Sequence, residues 1–168
     1  LWLRLQERLR LRLKLRQQMK NVRIIEADAL VKALLSSDGF FPLTVTGSSM
    51  APLLKDGRST VLLTKDFVPK KGRILLFRRR DGSLILHRVR KIDGNTLVMN
   101  GDAQDWCERI LPHQVIAAVE YIKIGNKNVK YNAPLLRIWD CLWYPTYPVR
   151  RRLFGFISKL KGQRRDKN

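Results

Sequence analysis

Cysteine is scarce: Cys107 and Cys141 are the only two in 168 residues. Two cysteines cannot build a disulfide framework or, by themselves, a zinc site. A reducing compartment or plain burial accounts for them, and one Cys107–Cys141 disulfide is the single pairing left open. Ten glycines and seven prolines are too few for a fibrous or low-complexity chain, and 45% hydrophobic residues exclude a disordered one. No run of about 18 apolar residues occurs, so no ordinary membrane-spanning helix is expected. Charge breaks every apolar stretch near the start, so no secretory signal peptide is expected there. The chain begins at Leu1 rather than Met, leaving room for an upstream piece that carries an anchor. No cofactor or metal ion is expected.

Acidic residues are also few: 14 Asp and Glu face 34 Lys and Arg, a net charge of +20. Residues 1–23 hold eight basic side chains against Glu7, and residues 149–168 hold eight against Asp166, so the two ends carry fourteen of the twenty charges. Ends of this kind suit an anionic partner, either lipid headgroups or nucleic acid phosphates. The expected location is cytoplasmic or peripheral to a membrane.

Along the chain, the texture changes twice. Leu1–Arg16 places Leu at 1, 3, 5, 9, 11, 13 and 15 among Arg, Gln and Lys, an alternation that a strand also fits but a composition that favours a basic amphipathic helix. Apolar spacing from Val22 to Leu35 is helical, and Ser36-Ser37-Asp38-Gly39 ends it. From Phe40 the sequence breaks into short runs rich in Val, Ile, Leu, Thr and Phe. Strands are expected at 40–46, 59–64, 73–79, 83–92, 96–100 and 114–124, with Asp81-Gly82 and Asp93-Gly94 as hairpin turns. Six strands in so short a span predict a mainly β fold, a coiled antiparallel sheet or small barrel, with helical extensions at both ends. After Asn132 the pattern is helical again, with Leu135, Trp139 and Trp143 at four-residue steps; Pro145 and Pro148 break it, and a second amphipathic piece, Val149 to Leu160, follows. The division expected is a basic helical extension at 1–38, a β-rich core at 39–132 and a basic amphipathic tail at 133–168.

Within the core, Thr46-Gly47-Ser48-Ser49-Met50-Ala51-Pro52 follows a strand and precedes Asp56-Gly57. Further on come a Gly72–Phe77 strand, then His87-Arg88-Val89, then Gly101-Asp102. None of these elements is specific alone. Taken in order and with their spacing, they resemble the S24/S26 peptidase superfamily, which groups type I signal peptidases with self-cleaving SOS-type repressors, over roughly residues 40–125. The resemblance implies that Ser49 is the nucleophile and that His87 fills the slot where many members carry a lysine base. It implies also that Asp102 supports the histidine, as in the Ser/His variant of the family, and that Gly47, Ser48 and Met50 belong to the nucleophile turn and oxyanion region. Some relatives carry a hydroxyl where this chain has Gly47, so backbone N–H groups near Ser49, with Ser48 as a weaker candidate, are left as oxyanion donors. Pro148 to Arg151, Pro-Val-Arg-Arg, matches the tail of short bacterial signal-peptidase-like proteins.

The chemistry is consistent with that substitution. A lysine base must lose its proton near neutral pH, against an ordinary pKa of about 10.4, whereas histidine at about 6.5 needs little shift. A histidine base predicts activity rising through about pH 6 to 7. The implied substrate is a peptide or preprotein, bound as an added strand and cut after a small residue. A rival class is a nucleic-acid-binding or self-cleaving regulator with a repressor-like fold; no helix-turn-helix pattern precedes the core, and the basic ends lack the aromatic stacking pattern of single-strand binders. A catalytically silent scaffold is the third reading.

Overall fold

The computed structural model describes residues 26–37 and 39–134, together with 136, 138, 146 and 149. The expectations for residues 1–25, for Trp139, Cys141 and Trp143, and for most of the tail lie outside the described residues. Helix α1 is described over residues 26–36. Its buried residues, Ala27 and Leu34, with half-buried Leu30 and Val31 between them, form the one-sided stripe of an amphipathic helix. The Lys65 ammonium donates to the Leu35 carbonyl at the helix end (2.8 Å), and Arg78 pairs with Asp28 (2.6 Å), so α1 is tied to the β core.

Among the described residues eight strands follow: β1 Phe41–Thr44, β2 Thr60–Thr64, β3 Ile74–Arg78, β4 Leu84–Asp93, β5 Thr96–Asn100, β6 Glu108–Ile110, β7 Val115–Ile124 and β8 Lys127–Lys130. They form one antiparallel sheet in the order β1-β2-β7-β3-β4-β5-β6, with β8 also paired to β7. The path does not close, so of the two β architectures expected, the open sheet is the one formed. Its ends are short strands, and edge strand β1 contains Pro42, which has no N–H for a further ladder. The six expected strands are present with ends shifted by up to two residues. Both expected hairpin turns connect their strands.

The long strand β7 pairs with β3 through its first half and with β2 through its second. Ala117 and Ala118, both fully buried, occupy the crossover, where small side chains let the two ladders meet. Register shifts at Leu62/Leu63 and Leu76/Phe77 add local bends.

Strand β3 is buried on both faces, which explains its unbroken Ile-Leu-Leu-Phe run. Ile74 and Leu76 enter a large cluster with Leu34, Met50, Leu54 and Leu136. Leu75 and Phe77 enter a second cluster with Val89, Leu97, Met99 and Ile110. Each such side chain, removed from water, stabilises the fold by roughly 1.5–3 kcal/mol. At the start of β3 the buried Arg73 guanidinium bonds Glu120 on β7 (2.6 Å) and Tyr131 Oη (3.2 Å), and lies 4.2 Å from the Tyr131 ring centroid.

Candidate active site

The turn carrying Ser49 is held from three directions. Met50, 1% exposed, anchors it in the larger cluster together with Leu54, whose N–H donates to the Met50 carbonyl (3.0 Å). Gly47 adopts φ +86°, a conformation that disfavours side chains, and its N–H donates to Asp56 Oδ1 (2.9 Å). From the other side, the Ala103 N–H donates to the Ser49 carbonyl (2.8 Å). Gly101 permits that approach: a Cβ there would sit 2.7 Å from the Ser49 carbonyl oxygen. The sequence reason for Gly101 is therefore close backbone contact rather than a special φ.

This docking brings Ser49 to the end of the β4–β5 ladder. Arg88 pairs across to Asn100, the residue before Gly101, and His87 is the residue before Arg88. Ser49 and His87 thus both adjoin the Arg88–Asn100 pair. Ser49 is half-buried, and Ser48 and Gly47 are exposed. The Gly47 N–H is already engaged with Asp56, and the Ala51 N–H donates to the Ser48 carbonyl (3.1 Å). Among the described residues the N–H groups of Ser49 and Met50 make no hydrogen bond, and the Ser49 and His87 side chains are not hydrogen-bonded to each other.

Alternation along β4 divides its side chains. Leu84 and Leu86 face the larger cluster, while Ile85, His87 and Val89 share the face of the second. His87, 1% exposed, lies with Phe77 and Trp106 at ring-centroid distances of 6.0 and 6.1 Å. Burial dominates its chemistry and lowers its pKa to about 4; Arg79 adds to the lowering, and Glu108 and Asp102 oppose it. The imidazole is therefore neutral at physiological pH and able to accept a proton.

The carboxylate nearest the ring nitrogen is Glu108, on β6. His87 Nδ1 is 2.9 Å from Glu108 Oε1 but is not aligned for an N–H···O bond, so this buried nitrogen lacks a hydrogen-bond partner. Glu108 is held instead by Arg79, which donates from Nε and Nη2 to its two oxygens (2.6 Å each). That pairing raises the Arg79 pKa above its ordinary value. Asp102 occupies a different position: both of its oxygens accept from Arg88, at 2.9 and 2.8 Å, in a pair buried to 6% and 4% side-chain exposure. Arg88 also donates to the Gly72 carbonyl (2.9 Å). The carboxylate expected to orient His87 is thus engaged by the neighbouring arginine.

Glu108 went unrecognised in the sequence because β6 is three residues long and shows no alternation of useful length. The only visible signal was an acid in an acid-poor chain, six residues beyond Asp102. Its approach to His87 depends on the register that sets Met99 opposite Glu108 and Val89 opposite Met99. Among the described residues no group of three or more His, Cys, Asp or Glu is placed to hold a metal ion. Cys107, beside Glu108, is exposed.

A sequence model of the peptidase S24-like family matches residues 15–124. The chain belongs to the peptidase S24-like family. The match begins upstream of α1 and ends with β7, so it takes in the Ser49 turn, the β4–β5 ladder and Glu108. Comparison with curated proteins gave no significant match. An S24-like chain of this kind carries a peptidase or repressor-type domain, and the open antiparallel sheet accords with that fold. No helix among the described residues is long and apolar enough to cross a membrane.

Proposed function

We propose that this S24-like domain is a serine endopeptidase of the signal-peptidase-like class, acting on a peptide or preprotein, in which Ser49 attacks the scissile carbonyl and neutral His87 takes its proton. The observation that carries this reading is the docking of the Ser49 main chain on Gly101 and Ala103, beside the ladder pair that also adjoins His87. A serine needs such a base to become a useful nucleophile. The N–H groups of Ser49 and Met50 are the candidate oxyanion donors, since Gly47 and Ala51 have theirs engaged. Glu108 takes the role of holding the imidazole through Nδ1, once its carboxylate turns into line. Asp102, bound to Arg88, braces the strand end on which the Ser49 turn rests. On this reading the substrate lies as an extended strand with a small residue before the cut, and anionic membrane held by the basic ends is where preprotein substrates are met.

The absence of a hydrogen bond between the Ser49 and His87 side chains favours a second reading, a silent scaffold. Incubation with a fluorophosphonate probe and with quenched peptides carrying Ala before the cleavage point decides between them. Labelling and cleavage in the wild-type chain, lost in Ser49→Ala and in His87→Ala, support the peptidase. Neither reaction in a folded wild-type chain supports the scaffold, and cleavage only of the chain itself supports the self-cleaving regulator.

A further inference from the structure

Beside the β3–β4 turn lies a cleft of about 460 Å³, within the roughly 300–1,000 Å³ of ligand sites. Three consecutive arginines, Arg78, Arg79 and Arg80, line it with His113, and no Asp or Glu does. Two of these guanidiniums have carboxylate partners that lie outside the cleft: Asp28 on α1 for Arg78 and Glu108 for Arg79. Arg80 is exposed and has no ion pair among the described residues. The remaining wall is apolar, from Val31, Leu111 and Ile116, with Leu111 39% exposed. Gln114 braces that wall, donating to the Arg78 carbonyl (3.0 Å) and accepting from the Leu111 N–H (2.9 Å).

We propose that this cleft is a carboxylate-binding subsite for an acidic, partly apolar peptide segment, with Arg80 as its open cation and Val31, Leu111 and Ile116 as the contact surface for neighbouring apolar side chains. Guanidinium forks suit carboxylates through two parallel hydrogen bonds, and the bidentate Arg79–Glu108 pair shows that geometry at the cleft's edge. A nucleic acid strand fits less well, because its phosphates need an extended cationic track with stacking aromatics and no Trp, Tyr or Phe lines the cleft. Arg79 reaches both the cleft and Glu108, so the subsite adjoins the proposed catalytic end; the choice of a peptide ligand rests on the peptidase reading.

The test measures binding on the Ser49→Ala chain, so that failure of catalysis and failure of the subsite are read separately. A dye-labelled peptide of Glu and Leu and its Gln-for-Glu counterpart are compared by fluorescence anisotropy at physiological salt. The acidic peptide is expected to bind about tenfold more tightly, the scale of one charge-assisted hydrogen-bond pair. Arg80→Gln should remove most of that advantage. Lys127→Gln, which deletes the same charge from exposed β8 at the opposite end of β7, should leave it unchanged. Equal binding of the two peptides, equal losses in the two variants, or no loss in Arg80→Gln would overturn the proposal. So would Arg80-dependent binding of a single-stranded oligonucleotide or anionic vesicles that exceeds binding of the acidic peptide.

Discussion

An imidazole that is 1% exposed and held at a pKa of about 4 makes the domain's stability depend on pH. The folded value lies below the ordinary 6.5, so protons bind the unfolded chain more readily between the two. The stabilisation from neutral His87 is complete above about pH 6.5 and is lost as pH falls toward 4, a difference on the order of 3 kcal/mol. Urea titrations should therefore show the wild-type chain losing more stability than His87→Gln between pH 7 and 4, with the two curves converging as pH falls. On the peptidase reading proposed above, the same neutrality places the acid limb of kcat/KM near pH 4, well below the rise through pH 6 to 7 expected from an ordinary histidine. Rates on a quenched peptide between pH 3.5 and 8 test it. Glu108→Gln removes the charge that counters burial, so the His87 pKa measured by NMR should fall further; kcat should drop by roughly a hundredfold or more, with Glu108→Asp restoring part of it.

At the scale of the element, the Ser49 turn and the segment after β5 act as one unit. Gly101→Ala would place a carbon 2.7 Å from the Ser49 carbonyl oxygen, a backbone atom that has to move. The expected result is a loss of roughly 1–3 kcal/mol in stability, as in other overpacked sites, together with a larger fractional loss in fluorophosphonate labelling. Asp102 separates two roles cleanly. Its pair with Arg88 is buried, and Asp102→Ala leaves that guanidinium without its carboxylate, which typically costs about 3–5 kcal/mol. Denaturation midpoints should shift strongly in Asp102→Ala and only weakly in Glu108→Gln, whereas the imidazole NMR signals should respond more to Glu108→Gln. The opposite ranking would return Asp102 to the orienting role expected of it.

Across the whole molecule, the charge is concentrated at the ends, seven net positive charges in each terminal stretch. Residues 148–168 combine Arg150, Arg151, Arg152, Lys159 and Lys161 with Leu153, Phe154, Phe156, Ile157 and Leu160, a composition that suits a helix lying in a headgroup layer. Each basic residue near an anionic leaflet contributes about 1 kcal/mol. The chain should sediment with anionic but not neutral liposomes, release at high salt, and stay in the supernatant when residues 148–168 are removed. Recovery in the supernatant with both lipids would reject membrane association.

The sequence by itself determined the β character, six of the eight strands and the order of the Ser49, His87 and Gly101-Asp102 segments, because alternation, turn pairs and short motifs are local properties of the chain. It missed β6 and β8, whose three and four residues, Glu-Arg-Ile and Lys-Asn-Val-Lys, are too short or too polar to show a period. What only the tertiary structure decided is which carboxylate serves which cation or ring. Asp102 and Glu108 lie six positions apart, with Asp105 between them, and nothing local distinguishes them. The β4–β5–β6 register and the alternation of β4 send Arg88 and His87 to opposite faces, so Asp102 meets the guanidinium and Glu108 approaches the imidazole. Pairing across strands is a long-range property, and no local pattern in the chain encodes it.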